Sequence, residues 1–144
     1  MKTYADTAFL VSLYLNEATT SAANAAMQRI SHPLPLIPLA YLELRNALHL
    51  AVFRRQITEA TRAAAWRRVE LDMRSGIYFR TSVAESELYA TAAELASRLT
   101  LVCGTRTLDL LHLAAAILLG TEELLSFDER QRRAAKAEGL EVKP

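Results

Sequence analysis

Four carboxylates in this chain stand where they could do chemistry together: Asp6, Glu43, Asp109 and Asp128. There are only four aspartates in 144 residues, and three of them border strongly apolar segments. Asp6 precedes the run AFLVSLYL, Asp109 opens LLHLAAAILL, and Asp128 follows ELLSF; Glu43 interrupts the apolar stripe of LAYLELRNALHLAVF. Two carboxylates about 4 Å apart repel by roughly 4 kcal/mol at an effective dielectric near 20. Acids gathered in one cleft must therefore protonate in part or hold a cation. Oxygen donors without a His or Cys partner suit a hard ion, Mg²⁺ or Mn²⁺, rather than zinc. Such an ion activates water and neutralises charge on a phosphodiester, so the reaction class is hydrolysis of a phosphate ester.

Each acid also has a purely structural reading. Asp6 could cap the helix that follows it. Asp109 and Asp128 occupy first-turn positions, where the helix dipole favours an anion. Ser126 with Glu129 spells a capping box. Glu43 could pair with Arg45. Taken jointly, four acids in four different strand–helix connections favour a site.

The elements that must position them follow from the pattern. Short β-rich segments at 3–6, around Leu36–Ile37, at 77–80, at 124–126 and at 140–142 alternate with helical stretches. Helices are expected over AFLVSLYL to about Asn16, over 17–29, 39–55, from Thr58 to about Ser75–Gly76, over 83–99, 107–119 and 129–138. The segment 103–105 reads as a loop, and Trp66 is expected between the two helices of an antiparallel hairpin. Alternating strands and helices predict an α/β fold: a single domain over 1–144, with a short-stranded central parallel β-sheet of about five strands flanked by helices. In such sheets ligands bind beyond the carboxyl ends of the strands, at the point where strand order reverses. Asp6 and Asp128 follow the first and fourth strands and meet there if those strands are neighbours.

Composition bounds the rest. With 51% hydrophobic and 23% charged residues the chain is an ordinary globular one. A net charge of +1 carries no argument for nucleic acid by itself. Most of the 17 basic residues are arginines, and Arg106, Arg130, Arg132 and Arg133 cluster near the two late acids, where they could bind phosphate groups or simply be solvated. The single cysteine, Cys103, excludes an internal disulfide and reads as packing. His112 shares a helix face with Asp109 and reads as a hydrogen-bonded packing residue. The early apolar run imitates a signal peptide, but Asp6 and Glu17 argue against export. No apolar run approaches the ~20 residues of a membrane span. A cytoplasmic protein with no membrane partner is expected.

The ordered motifs carry a resemblance. Tyr4-Ala5-Asp6-Thr7 before an apolar helix, Leu42-Glu43-Leu44, Arg106-Thr107-Leu108-Asp109-Leu110-Leu111-His112-Leu113-Ala114-Ala115 and Ser126-Phe127-Asp128-Glu129-Arg130 resemble PIN domains, and in compactness the VapC ribonuclease toxins of toxin–antitoxin pairs. The resemblance covers essentially the whole chain. It implies that Asp6, Glu43, Asp109 and Asp128 bind the metal and are the catalytic acids. Thr7 and Ser126 match positions with a small hydroxyl near the site, Ser126 replacing the commoner threonine. It further implies an endoribonuclease acting through metal-activated water on single-stranded RNA, a homodimer, and a cognate antitoxin as inhibitor. Two other readings compete: a member of the same family that matures RNA without an antitoxin, and a non-enzymatic receiver-like phospho-acceptor. The second wants an adjacent acid pair early in the chain, which is absent.

Overall fold

Five parallel strands and seven helices alternate along the computed structural model, which describes residues 2–144. They assemble as two compact units: Thr7–Thr81, and the first strand with Asp6 together with Ser82–Pro144.

In the second of these, β1 (Thr3–Ala5), β4 (Glu123–Leu125) and β5 (Glu141–Lys143) form a parallel sheet in the order β1-β4-β5. Thr3 stands opposite Glu123 and Ala5 opposite Leu125. The first and fourth strands are therefore neighbours, as the switch-point argument required. Tyr4, Ala5, Leu124 and Leu125 are buried, so β1 and β4 read as continuous apolar runs rather than alternating ones. Helix α5 (Glu85–Cys103) packs along α6 (Thr107–Leu118), and α7 (Glu129–Ala137) lies against α5, α6 and β5. Every residue from Leu110 to Ala116 is buried, which explains why α6 is apolar on all sides. The loop expected after Leu99 begins only at Gly104, four residues later. Helix α5 continues to Cys103, which is buried, and stops at Gly104, whose φ of 67° is the left-handed end conformation that favours glycine.

The unit Thr7–Thr81 holds the short sheet β2 (Leu34–Leu36) and β3 (Tyr78–Arg80), also parallel. Strand β2 starts two residues earlier than expected, inside the proline-rich LPLIP. Leu34 donates its N–H to Ile77 O and Leu36 accepts from Thr81 N, so both neighbours of Pro35 serve the ladder. Alternation along a parallel strand then turns Pro35, which has no N–H, away from β3. Around this pair stand α1 (Thr7–Tyr14), α2 (Thr20–Met27), α3 (Pro38–Phe53) and α4 (Glu59–Arg74). Helix α2 begins later than the expected residue 17, because Thr20 closes a turn there: its Oγ1 accepts from Glu17 N and donates to Leu15 O. Thr58 caps α4 by accepting from Thr61 N. Trp66 of α4 meets α3 as expected, edge-on to Tyr41 at 5.5 Å and under the Arg45 guanidinium at 4.7 Å. The five expected strands are thus all present and parallel, hydrogen-bonded as a set of three and a set of two. Among the described residues no helix is long and apolar enough to cross a membrane.

Candidate active site

Asp6 ends β1. Its N–H donates to Leu125 O at 3.1 Å, extending the ladder one step beyond Ala5, and the residue is 6% exposed. Across the same sheet edge the chain leaves β4 through Ser126, which is fully buried. Ser126 N donates to Lys143 O, its carbonyl accepts from Arg132 Nη1 at 2.7 Å, and its Oγ accepts from Asp128 N at 3.1 Å. Ser126 therefore lies just past the strand and does not cap α7. Asp128 does: its Oδ1 accepts from Arg130 N at 2.8 Å and Gln131 N at 3.1 Å. The Ser126–Glu129 capping box read from sequence is replaced by an Asp128 cap whose own N–H the serine holds.

Burial raises the pKa of Asp128, but the amides of Gln131 and Arg130 and the Arg130 guanidinium outweigh it and hold the carboxyl below its ordinary range. Arg130 Nη2 lies 3.4 Å from Asp128 Oδ2, a loose contact. Asp109 sits in the first turn of α6, where its Oδ2 accepts from Arg106 N at 2.9 Å.

Three ties bring these acids' elements together. The β1–β4 ladder joins the strand of Asp6 to the strand that leads into Asp128. Tyr4 Oη and His112 Nδ1 are 2.8 Å apart, both residues buried, which fixes α6 against β1. Gln131 Nε2 donates to the Asp109 carbonyl at 3.0 Å and fixes α7 against α6. His112 is thus the packing histidine expected. Gln131 was not singled out from the sequence; its signal was the Asp-x-x-Gln spacing that begins at Asp128.

Glu43 belongs to the unit Thr7–Thr81, on α3, half-buried. Its Oε1 accepts from Thr7 Oγ1 at 3.2 Å, and Thr7 is the residue after Asp6. Of the four arginines, Arg132 is committed to Ser126, and Arg133 Nε donates to Glu129 O. Arg106 and Arg133 are exposed.

Asp72, the remaining aspartate, has a different task. It accepts from Tyr14 Oη at 2.6 Å, and Tyr14 in turn contacts Tyr78 Oη at 2.8 Å. Burial pushes both phenols far above their ordinary range. This network borders a cavity of about 410 Å³ whose lining includes Arg68 and Asp72. That cavity holds one carboxylate and none of the four candidate acids.

The donor set of the acids is all oxygen, and the second oxygens of Asp109 and Asp128 are not taken up by strong hydrogen bonds, so the chemistry fits a hard divalent ion. Among the described residues no three His, Cys, Asp or Glu side chains yet stand as a ready set of ligands.

Comparison with known proteins agrees with this architecture. No curated protein matches the sequence. The solved structure of VapC20 from Mycobacterium tuberculosis, described as a sarcin–ricin loop cleaving toxin, superposes with a TM-score of 0.71. It is 18% identical, over 99% of this chain and 100% of that one. FitAcB from Neisseria gonorrhoeae gives a TM-score of 0.70 at 15% identity, over 99% and 96% of the two chains. VapBC2 from Rickettsia felis, bound to a DNA fragment from their promoter, gives 0.70 at 12% identity, over 99% and 98%. Identities this low show a common fold. The PIN domain family matches residues 3–137, and the chain belongs to that family.

Proposed function

We propose that this protein is a Mg²⁺- or Mn²⁺-dependent endoribonuclease with Asp6, Glu43, Asp109 and Asp128 as its metal-binding catalytic acids, and that it is the toxin of a toxin–antitoxin pair. The observation that carries the reading is the gathering of Asp6, Asp109 and Asp128 onto elements tied to one another at the carboxyl ends of neighbouring strands. That is where ligands bind in parallel sheets. Glu43 enters the proposal as the family resemblance implies; within its own unit its carboxylate accepts from Thr7 Oγ1.

The roles of the residues follow from their bonds. Asp128, held below its ordinary pKa, is a fixed anion at neutral pH. Ser126 holds the Asp128 N–H and so sets the start of α7. Asp109 offers the carboxylate oxygen that its bond to Arg106 N leaves over. Exposed Arg106 and Arg133 would bind RNA phosphates near the late acids. When bound, the divalent ion would supply an activated water and neutralise charge on the phosphodiester. No side-chain nucleophile is required.

RNA as substrate is supported by the description of VapC20 as a toxin that cleaves the sarcin–ricin loop. The antitoxin belongs to the same reading, through the likeness to FitAcB and VapBC2, and the homodimer is part of it only as the family resemblance implies. Membership of the PIN family leaves the phospho-acceptor alternative without support. The test is purified protein against mixed RNAs with Mg²⁺, Mn²⁺ or EDTA, beside Asp6→Asn. Cleavage should need the metal and vanish in the variant, whose folding should be little changed. Cleavage that persists in EDTA and in Asp6→Asn rejects the assignment.

A further inference from the structure

Among the described residues one buried side-chain polar atom has no hydrogen-bond partner, and it is Oε1 of Gln131. The residue is 1% exposed and is bonded to both late acids. Its N–H donates to Asp128 Oδ1, and its Nε2 donates to the Asp109 carbonyl. The posture is unusual for its place in the helix. In an Asp-x-x-Gln start the glutamine oxygen ordinarily turns back to accept the N–H of the capping residue. Here Ser126 Oγ already holds that N–H, so the amide is released and reaches across to α6 instead. The orphaned oxygen is the consequence, and burying an unmet acceptor is unfavourable. A methionine would fill the same slot without an orphan, so packing does not account for the amide. Its bond to Asp109 does.

We propose that Gln131 is a positioning residue of the acid site, a clamp that fixes the main chain of Asp109 against the carboxylate of Asp128, two of the acids that would hold the divalent ion. This rests on the nuclease reading above. Losing the Nε2 bond frees the first turn of α6 from α7, and displacements of an ångström at a site of this kind are costly in rate.

The test compares wild type, Gln131→Met, Gln131→Asn and Asp6→Asn. It reads Mn²⁺ affinity without RNA by electron paramagnetic resonance, kcat and KM on an RNA oligonucleotide, and the thermal midpoint of metal-free protein. Both Gln131 variants should bind Mn²⁺ about tenfold more weakly and lose about tenfold or more in kcat, the range for residues that orient metal ligands. KM for RNA should stay within about twofold, because the clamp does not touch substrate. The midpoint of Gln131→Met should hold or rise, since the orphan is gone. A merely structural role would lower the midpoint and leave Mn²⁺ affinity and kcat alone, and that result overturns the proposal. If Gln131→Met fails to fold, Gln131→Asn decides, because it keeps the amide but falls one methylene short. Loss of both readouts in Asp6→Asn alone sinks the clamp and spares the nuclease reading. Wild-type behaviour of Asp6→Asn sinks the nuclease reading itself.

Discussion

At Asp128 two backbone amides and a guanidinium converge on one half-buried carboxylate, and this makes its contribution to folding a function of pH. Burial works against the charge and the three donors work for it, with the donors prevailing. Folding therefore depresses the pKa, so the stabilisation is present above the ordinary carboxylate range and is lost as pH falls through the folded value. Asp128→Asn keeps a side-chain oxygen for the cap but cannot titrate. In EDTA, wild type should be the more stable protein near neutrality, and its advantage should shrink as the pH drops from about 5 to about 3. Urea midpoints for the two proteins at several pH values measure this. A constant gap across that window would mean the carboxylate contributes shape and no charge.

Helix α6 and strand β1 are tied by a polar contact between two buried residues, Tyr4 and His112. Tyr4→Phe keeps the ring and removes the hydroxyl, costing about 1–3 kcal/mol because a buried partner loses its bond. Activity should fall further than the lost stability explains at temperatures where the variant is fully folded, since Asp109 rides on α6 and Asp6 on β1. Wild-type kcat in a folded, destabilised Tyr4→Phe would show that the contact only packs. The sequence made this element legible through its apolar run and its acid in the first turn; both are local signals. It made the partner of Gln131 illegible, because that depends on which donor already holds the Asp128 N–H. The tail of α5 was missed for a related reason. Leu101 is 97% and Val102 77% exposed, so apolar residues there face solvent and the helical stripe breaks before the helix does. The division of five strands into ladders of three and two was equally hidden, since strands of three residues carry no pattern that names their neighbours.

Over the whole molecule the formal charges nearly cancel, at +1, so attraction to a polyanion cannot come from a net field and must be local. The arginines near the late acids differ in how free they are. Arg132 is spent on the Ser126 carbonyl and Arg130 leans on Asp128, whereas Arg106 and Arg133 are exposed. Only the latter pair can shed counterions from RNA without breaking a bond that shapes the site. Neutralising a phosphate on a single strand contributes about 0.7 to the slope of log affinity against log salt, so losing two contacts should lower that slope by roughly 1.4. The measurement is fluorescence anisotropy with single-stranded RNA from low to moderate salt. Asp6→Asn serves as the non-cleaving background, with and without Arg106→Ala and Arg133→Ala. Arg106 supplies a backbone N–H to Asp109, which alanine also has, so the acid keeps its cap. Binding should weaken most at low salt and the two curves should converge as salt rises. Superimposable slopes would instead make these arginines solvated helix ends, and the RNA path would have to cross another face.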